Sequence, residues 1–310
     1  MKKCIEQFYN ITILAIEPAK RGCYGETWKL VSKECWYFVK IDYLNYHKTI
    51  YRDNLAVVEY LYNNGIKYIN QLIKTRDDKL YVDFQDGILA VFNYVPGENI
   101  KSYDLGRLFN LLAGIYTVPI NCLDIDKEDF TTGCADYVLN NINEITLLRN
   151  NQQLLQQYAD RLQIFTERCR GSFDNFYITH GDSGGNIIID GNNLTIIDWD
   201  HAKVAAPERD AWPFINNTSD IDKFNENLWD KGINYKLQKD RLAFYCYYSY
   251  FYYLQDYILS FYSFRDIYLK NKLVKYMKHY FFRGWIKNHI SQIENLCNAN
   301  EDVKCFSSIY

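Results

Sequence analysis

The chain of 310 residues is poor in the elements that break, staple or span a fold. It has five prolines and fifteen glycines, with no low-complexity linker or internal repeat, which excludes collagen-like and solenoid architectures. No run of 18 apolar residues occurs anywhere. The nearest, LAFYCYYSYFYYLQDYILSFYSF at 242–264, takes its bulk from tyrosine and is broken by Gln255 and Asp256, so it reads as a helix packed inside the protein. The amino terminus carries two lysines but only a short apolar run at 11–16 and no small-residue cleavage site, so no signal peptide is expected. The nine cysteines are odd in number and form no Cys-x-x-Cys pair. They read as buried thiols in a reducing cytoplasm, not as a disulfide frame or a zinc site. A net charge of −3 and a pI of about 6.0 give no general attraction to nucleic acid or to an anionic membrane, and neither is expected as a partner.

What is present is a globular composition, 48% hydrophobic and 24% charged. The first ninety-odd residues read as strands with one helix. WYFVKIDY is a compact β-rich run, and KLYVDFQDGILAVFNYV is two such runs joined at Asp86-Gly87, a hairpin signal. Between them RDNLAVVEYLYNNG has helical spacing, with Asp53 placed as N-cap and Gly65 placed to stop it. Glu59, four residues after Leu55 and three before Tyr62, shares their face, and an inward carboxylate wants a cation. After VPGEN (95–99) the pattern turns helical, with Leu105, Leu108, Leu112 and Ile115 on one helix ended by Pro119. Leu148, Leu155, Tyr158, Leu162 and Phe165 mark another. The runs FYITHGD, NIIID and LTIIDWD then give short strands, and long aromatic helices follow. The plan is α+β and two-lobed, divided into 1–94 and 95–310. A monomer or weak dimer is expected.

Residues 180–185, HGDSGG, contain the pentapeptide that surrounds the nucleophile of trypsin-like proteases. That chemistry needs an upstream histidine, a buried aspartate and an all-β double barrel. His47 is the one histidine before His180, its surroundings are unlike those of a protease base, and the second half reads as helical. The match is coincidental.

The same segment suits phosphoryl transfer. That reaction needs a cation on the non-transferring phosphates, hard oxygen ligands for Mg²⁺ and a carboxylate at the acceptor hydroxyl. Lys40, closing YFVK, supplies the cation with Glu59 as its partner. Asp182 supplies the carboxylate that takes the acceptor's proton. Asn186 and Asp198 supply oxygens to the metal. No Gly-x4-Gly-Lys-Ser/Thr occurs, which argues against a P-loop enzyme.

HGDSGGNIIID, LTIIDWD and APERDAW together resemble the aminoglycoside phosphotransferase family, a branch of the protein-kinase-like fold, and within it the spectinomycin-phosphotransferase-like members. The resemblance is specific over 177–214, collinear but weaker over 20–100 and faint over the C-terminal helices. It implies a small β-rich nucleotide-binding lobe and a large helical lobe, in a cytoplasmic, Mg²⁺-dependent antibiotic-resistance kinase that uses ATP or GTP. It implies Asp182 as catalytic base with His180 bracing its loop, and Asn186 and Asp198 as metal ligands. Lys40 with Glu59 would hold the phosphates under the turn KRGCYG, through Gly22 and Gly25. The carbonyl of Asn93 and the amide of Val95 would bond the adenine edge, and Asp210 would support the catalytic loop. One departure is the spacing: Asn186 follows Asp182 by four residues where the family has five, and Gly184-Gly185 offer the backbone freedom to absorb it. The phosphate turn also lacks a full Gly-x-Gly-x-x-Gly.

The acceptor is a small hydroxyl compound. Asp200, Glu208 and Asp256 are the acids placed to meet a polycationic aminoglycoside or aminocyclitol, and choline-, methylthioribose- and homoserine-type metabolites are alternatives. A catalytically silent nucleotide-binding relative is a further alternative, kept open by the short spacing. A protein kinase is disfavoured, because Asp-Phe-Gly, Ala-Pro-Glu and a long activation segment are missing.

Overall fold

A computed structural model describes residues 1–19, 25–44, 47–99, 104–120, 123–171 and 175–298. The chain packs as two compact units, Met1–Lys127 with Tyr177–Ala205, and Glu128–Phe176 with Ala206–Tyr310.

The first unit is built on an antiparallel sheet. Helix α1 (Lys2–Phe8) leads into β1 (Ile13–Pro18), β2 (Gly25–Ser32) and β3 (Trp36–Asp42), then α2 (Lys48–Asn63), β4 (Leu72–Ile73), β5 (Val82–Phe84), β6 (Gly87–Asn93) and α3 (Leu105–Ile115). The strand order is β1-β2-β3-β6-β4, with β5 also pairing β6. Strand alternation divides β3 between two faces. Val39 and Ile41 join Ile5, Tyr9, Leu30, Leu89 and Val91 in a core under α1, which leaves Phe38 and Lys40 on the opposite face. The β5–β6 hairpin forms as expected, but its two turn residues are Gln85 and Asp86, with Phe84 paired to Gly87 and Gln85 at φ 55°. Gly87 lies in the strand, at a position where a Cβ would meet the Asp42 carbonyl oxygen at 2.7 Å. Helix α2 stops at Gly65 (φ 91°) as expected, yet starts at Lys48, so Asp53 is internal and not an N-cap.

The same unit receives β7 (Tyr177–Thr179), β8 (Ile187–Asp190), β9 (Asn193–Ile196) and β10 (Lys203–Ala205), as the two-stranded pairs β7–β10 and β8–β9. The β8–β9 hairpin is fastened to the preceding chain by backbone bonds. Glu98 and Ile189 exchange N–H···O bonds of 2.9 Å, and the Ile196 amide donates to the Tyr68 carbonyl at 2.9 Å.

The second unit is helical: α4 (Gly133–Asn140), α5 (Thr146–Arg149), α6 (Gln152–Cys169), α7 (Glu208–Ala211), α8 (Thr218–Asp230), α9 (Lys239–Ser263), α10 (Ile267–Met277) and α11 (Trp285–Asn298). The tyrosine-rich run is α9, and Tyr245, Tyr247 and Tyr250 are buried in it, so these rings serve packing. No helix among the described residues is long and apolar enough to cross a membrane. The described cysteines are free. Cys134, Cys169 and Cys246 are buried, whereas Cys35 is exposed, because it sits in the β2–β3 turn and not in the core.

Candidate active site

The site forms within the first unit, where two loops are tied together by one histidine. β7 ends at Thr179, and His180 follows fully buried. Its Nδ1 accepts from the Asp182 amide at 3.1 Å, and its Nε2 lies 2.9 Å from the Ile197 carbonyl oxygen. A carbonyl only accepts and an amide N–H only donates, so the ring proton is on Nε2. The imidazole therefore ties the Asp182 loop to the residue preceding Asp198. With both nitrogens engaged it is unavailable as a base for Ser183, whose hydroxyl is buried without a hydrogen-bond partner. The protease pentapeptide is a coincidence of letters.

Gly181, between His180 and Asp182, takes φ 81°, a left-handed backbone that suits glycine. Residues 183–185 then form one tight turn, closed by the Asn186 amide donating to the Ser183 carbonyl at 3.1 Å. That turn absorbs the short spacing. Gly184 and Gly185 do so without left-handed angles, contrary to the freedom expected of them. Asn186 donates from Nδ2 to the Asp182 carbonyl oxygen (2.7 Å) and to its carboxylate (3.1 Å), which turns Oδ1 away from Asp182. The Asn186 carbonyl also accepts from the Ile197 amide at 2.9 Å, so Asn186 and Asp198 are held two backbone steps apart.

Asp198 has φ 64°, strained for a side chain with a Cβ. Such strain costs about 1–3 kcal/mol and persists where surrounding bonds enforce it, commonly at functional sites. Its carboxylate accepts from Lys40 Nζ at 2.6 Å, and Lys40 also bonds Asp200. Burial alone favours neutral Lys40, but Asp200 and Asp198 outweigh it and raise its pKa above the ordinary lysine value. For Asp198, partial loss of hydration is opposed and overcome by Lys40, and the carboxyl is held below its usual range. Asp200 goes the other way, raised by burial and by the Asp198 charge despite Lys40.

Two expectations are corrected here. Glu59 does not pair with Lys40: it bonds Lys74 Nζ at 3.0 Å and accepts from Asn63. Because α2 starts at Lys48, its early turns face Lys40, with the Tyr51 ring 5.4 Å from Nζ. Glu59 lies eight residues on, about 12 Å further along the helix. Asp200 does not offer a carboxylate to an acceptor: it is buried on Lys40, and its carbonyl oxygen accepts from Asn54 at 2.5 Å.

Glu208 is also corrected. It is fully buried in α7, accepting from the Tyr235 hydroxyl (2.8 and 2.9 Å) and the Gln238 amide (2.6 Å). Asp210 is buried in the same helix, and Asp256 is half-buried on α9.

At the other end of β3 lies the chain after β6, the segment expected to be the hinge, which falls inside the first unit. The Asn93 amide is bonded to the Gln71 carbonyl (2.8 Å) and the Tyr94 amide to that of Trp36 (3.2 Å), whereas the Val95 amide has no backbone partner among the described residues. Glu34, Cys35, Trp36, Asn93, Tyr94 and Pro96 line an open groove of about 510 Å³ there. Phe38 and Phe92, on the Lys40 face, pair at 6.5 Å. Gly97, at φ 109°, lets the chain pass the hairpin, since a Cβ would sit 2.2 Å from the Ile189 carbonyl oxygen. Gly25 opens β2, where a Cβ would strike the Ile41 carbonyl oxygen. Gly22 and most of the KRGCYG turn lie outside the described residues.

The candidate metal ligands, Asn186 and Asp198, are of a kind that suits a hard cation keeping other oxygens. Among the described residues no cluster of three or more His, Cys, Asp or Glu forms a ready-made metal site. Asp198 and the Asn186 Oδ1 offer one charged and one neutral oxygen, a set that suits Mg²⁺ completed by phosphate and water.

Comparison with known proteins concerns the fold and the family. The fold is similar to spectinomycin phosphotransferase solved with ADP and spectinomycin, with a TM-score of 0.76 at 18% identity over 94% of this chain and 97% of that one. It is similar to a microcompartment-associated aminopropanol kinase (TM-score 0.64, 13% identity, 96% and 97% coverage). It is also similar to the choline kinase LicA from Streptococcus pneumoniae (TM-score 0.59, 14% identity, 88% and 96% coverage). No curated protein sequence gives a significant match. Residues 15–244 match the phosphotransferase enzyme family, and the chain belongs to that family.

Proposed function

We propose that the protein transfers the γ-phosphate of a nucleoside triphosphate to a hydroxyl of an aminoglycoside- or aminocyclitol-like acceptor. The observation that carries this reading is the gathering of Asp182, Asn186, Asp198 and Lys40 around the His180 brace. Asp182 orients the acceptor hydroxyl and takes its proton, and the Asn186 bond to its carboxylate fixes the angle at which it does so. Lys40 holds the non-transferring phosphates. The hinge carbonyl of Asn93 and the amide of Val95 receive the adenine edge, and Phe38 and Phe92 offer it an apolar floor. Asp198 and Asn186 would hold Mg²⁺, which neutralises charge on the phosphates when bound.

A second reading, a kinase of a small amino alcohol, is favoured by the likeness to aminopropanol and choline kinases. With Asp200 and Glu208 buried, Asp256 is the remaining candidate acid for an amine-bearing acceptor. A screen of γ-phosphate transfer to aminocyclitol antibiotics, choline, aminopropanol and small sugars tests both. Transfer to an aminocyclitol supports the first reading and transfer to an amino alcohol the second. Nucleotide binding with no transfer to any acceptor refutes both in favour of a silent relative.

A further inference from the structure

Lys40 has two carboxylate partners, and a nucleotide with its metal competes for one of them. We propose that Asp200 is the fixed anchor of Lys40, in place of a carboxylate from α2, and that Asp198 is the partner released to the phosphates and metal. The inference rests on the nucleotide-binding reading above and assigns separate duties to the two acids.

The surroundings of the two acids differ. The Asp200 side chain is 7% exposed and that of Asp198 42%. The Asp200 backbone is held from α2 by Asn54, itself buried. If Lys40 left Asp200 it would strand a buried charge, a far larger loss than separating from a half-exposed one. Asp198 is therefore the exchangeable partner. Its neighbour Ile197 is held at the backbone by His180 and Asn186, so only its side chain needs to turn.

Helix α2 offers no competing acid. Its acidic residues are Asp53 and Glu59; Glu59 is paired with Lys74, and Asp53 is set among Arg52, Asp124 and Asp126. The residue it turns toward Lys40 is Tyr51, 1% exposed, with a hydroxyl that has no hydrogen-bond partner. An aromatic face beside an ammonium group steadies it without neutralising it. Lys40 is thus positioned from the segment that carries the metal ligand, and α2 contributes a ring and a backbone tether.

Calorimetric titration of ADP, first in EDTA and then with Mg²⁺, separates the two duties. Without metal, Asp200→Asn should weaken ADP binding about tenfold or more, toward the level of Lys40→Ala, while Asp198→Asn binds as the parent does or tighter. With Mg²⁺, Asp198→Asn should lose the metal-dependent gain that Asp200→Asn retains. Adding Tyr51→Glu to Asp200→Asn should recover part of the metal-free affinity by restoring a carboxylate from the helix side. Asn54→Ala, which removes only the tether, should give a several-fold loss in the same direction, and it carries the test if Asp200→Asn does not fold. Parent-like metal-free binding by Asp200→Asn, or by Asn54→Ala where the former is unfolded, overturns the anchor while a weakened Lys40→Ala keeps the nucleotide reading. Unchanged binding by Lys40→Ala overturns the nucleotide reading and the anchor with it.

Discussion

Replacing Glu208 with glutamine should make the helical unit less sensitive to rising pH. Glu208 is fully buried, and burial pushes its carboxyl up to about 7, against the lowering effect of the Gln238 amide, Arg241 and the Tyr235 hydroxyl. In the unfolded chain the same group sits near 4.5. The folded state thus holds the proton more tightly. Its stabilisation is complete below about 4.5 and is lost as pH rises through about 7. At 1.36 kcal/mol per tenfold in proton affinity the difference is about 3 kcal/mol, most of it lost between pH 5 and 8. For a unit of this size that corresponds to a fall in Tm of roughly 10 °C. Glu208→Gln keeps an oxygen to accept from Tyr235 and the Gln238 amide but has no proton to lose. Urea unfolding of both proteins at pH 5 and pH 8 gives the measurement. The parent should lose about 2.5 kcal/mol more than the variant between the two, other titrating groups cancelling in the comparison. Parallel losses in the two proteins would refute the assignment of Glu208 as a buried acid protonated in the fold.

Three further outcomes are expected. Asp182→Ala should lower turnover by about 10²–10⁴-fold with nucleotide affinity nearly intact, as loss of a general base does; steady-state kinetics beside ADP titration check it, and unchanged turnover removes Asp182 from the mechanism. Ser183→Ala should leave turnover within about twofold and slightly raise Tm, because an unbonded buried hydroxyl costs about 1–3 kcal/mol, and a drop of orders of magnitude would revive a hydroxyl nucleophile. Gly97→Ala combines a strained φ of 109° with a Cβ 2.2 Å from the Ile189 carbonyl oxygen. It should cost about 1–3 kcal/mol in a thermal melt and weaken nucleotide binding by parting the hinge from the β8–β9 hairpin. A parent-like melt would show that the hinge does not depend on that close approach.

Features encoded by short-range pattern are legible in the sequence. The strand around Lys40, which runs on to Asp42 and is not closed by the lysine, the α3 spacing of Leu105, Leu108, Leu112 and Ile115, and the Gly65 stop appear where the sequence implied them. Each depends on neighbours within a turn or a strand, so the periodicity carries the information. The errors share a cause. Glu59 was assigned to Lys40 by helical face, but the true start of α2 at Lys48 moves it about two turns away from that lysine. The six-residue difference in the start is not written in a capping residue, since His47 makes no side-chain cap. Composition implies a buried Cys35 but does not locate turns, and the residue is exposed in one.

The sequence by itself determined which polar side chains stand in HGDSGGN and IIDWD and their order along the chain, because covalent spacing fixes which of them are neighbours within each segment. Tertiary packing alone decided their partners. Lys40 and Asp200 stand 160 residues apart and are joined only when β3 and the segment after β9 share one face. Glu208 and Asp200 look like surface acids as letters and are buried in the fold, and a charge meets its partner or its desolvation penalty only through chains that are distant in sequence.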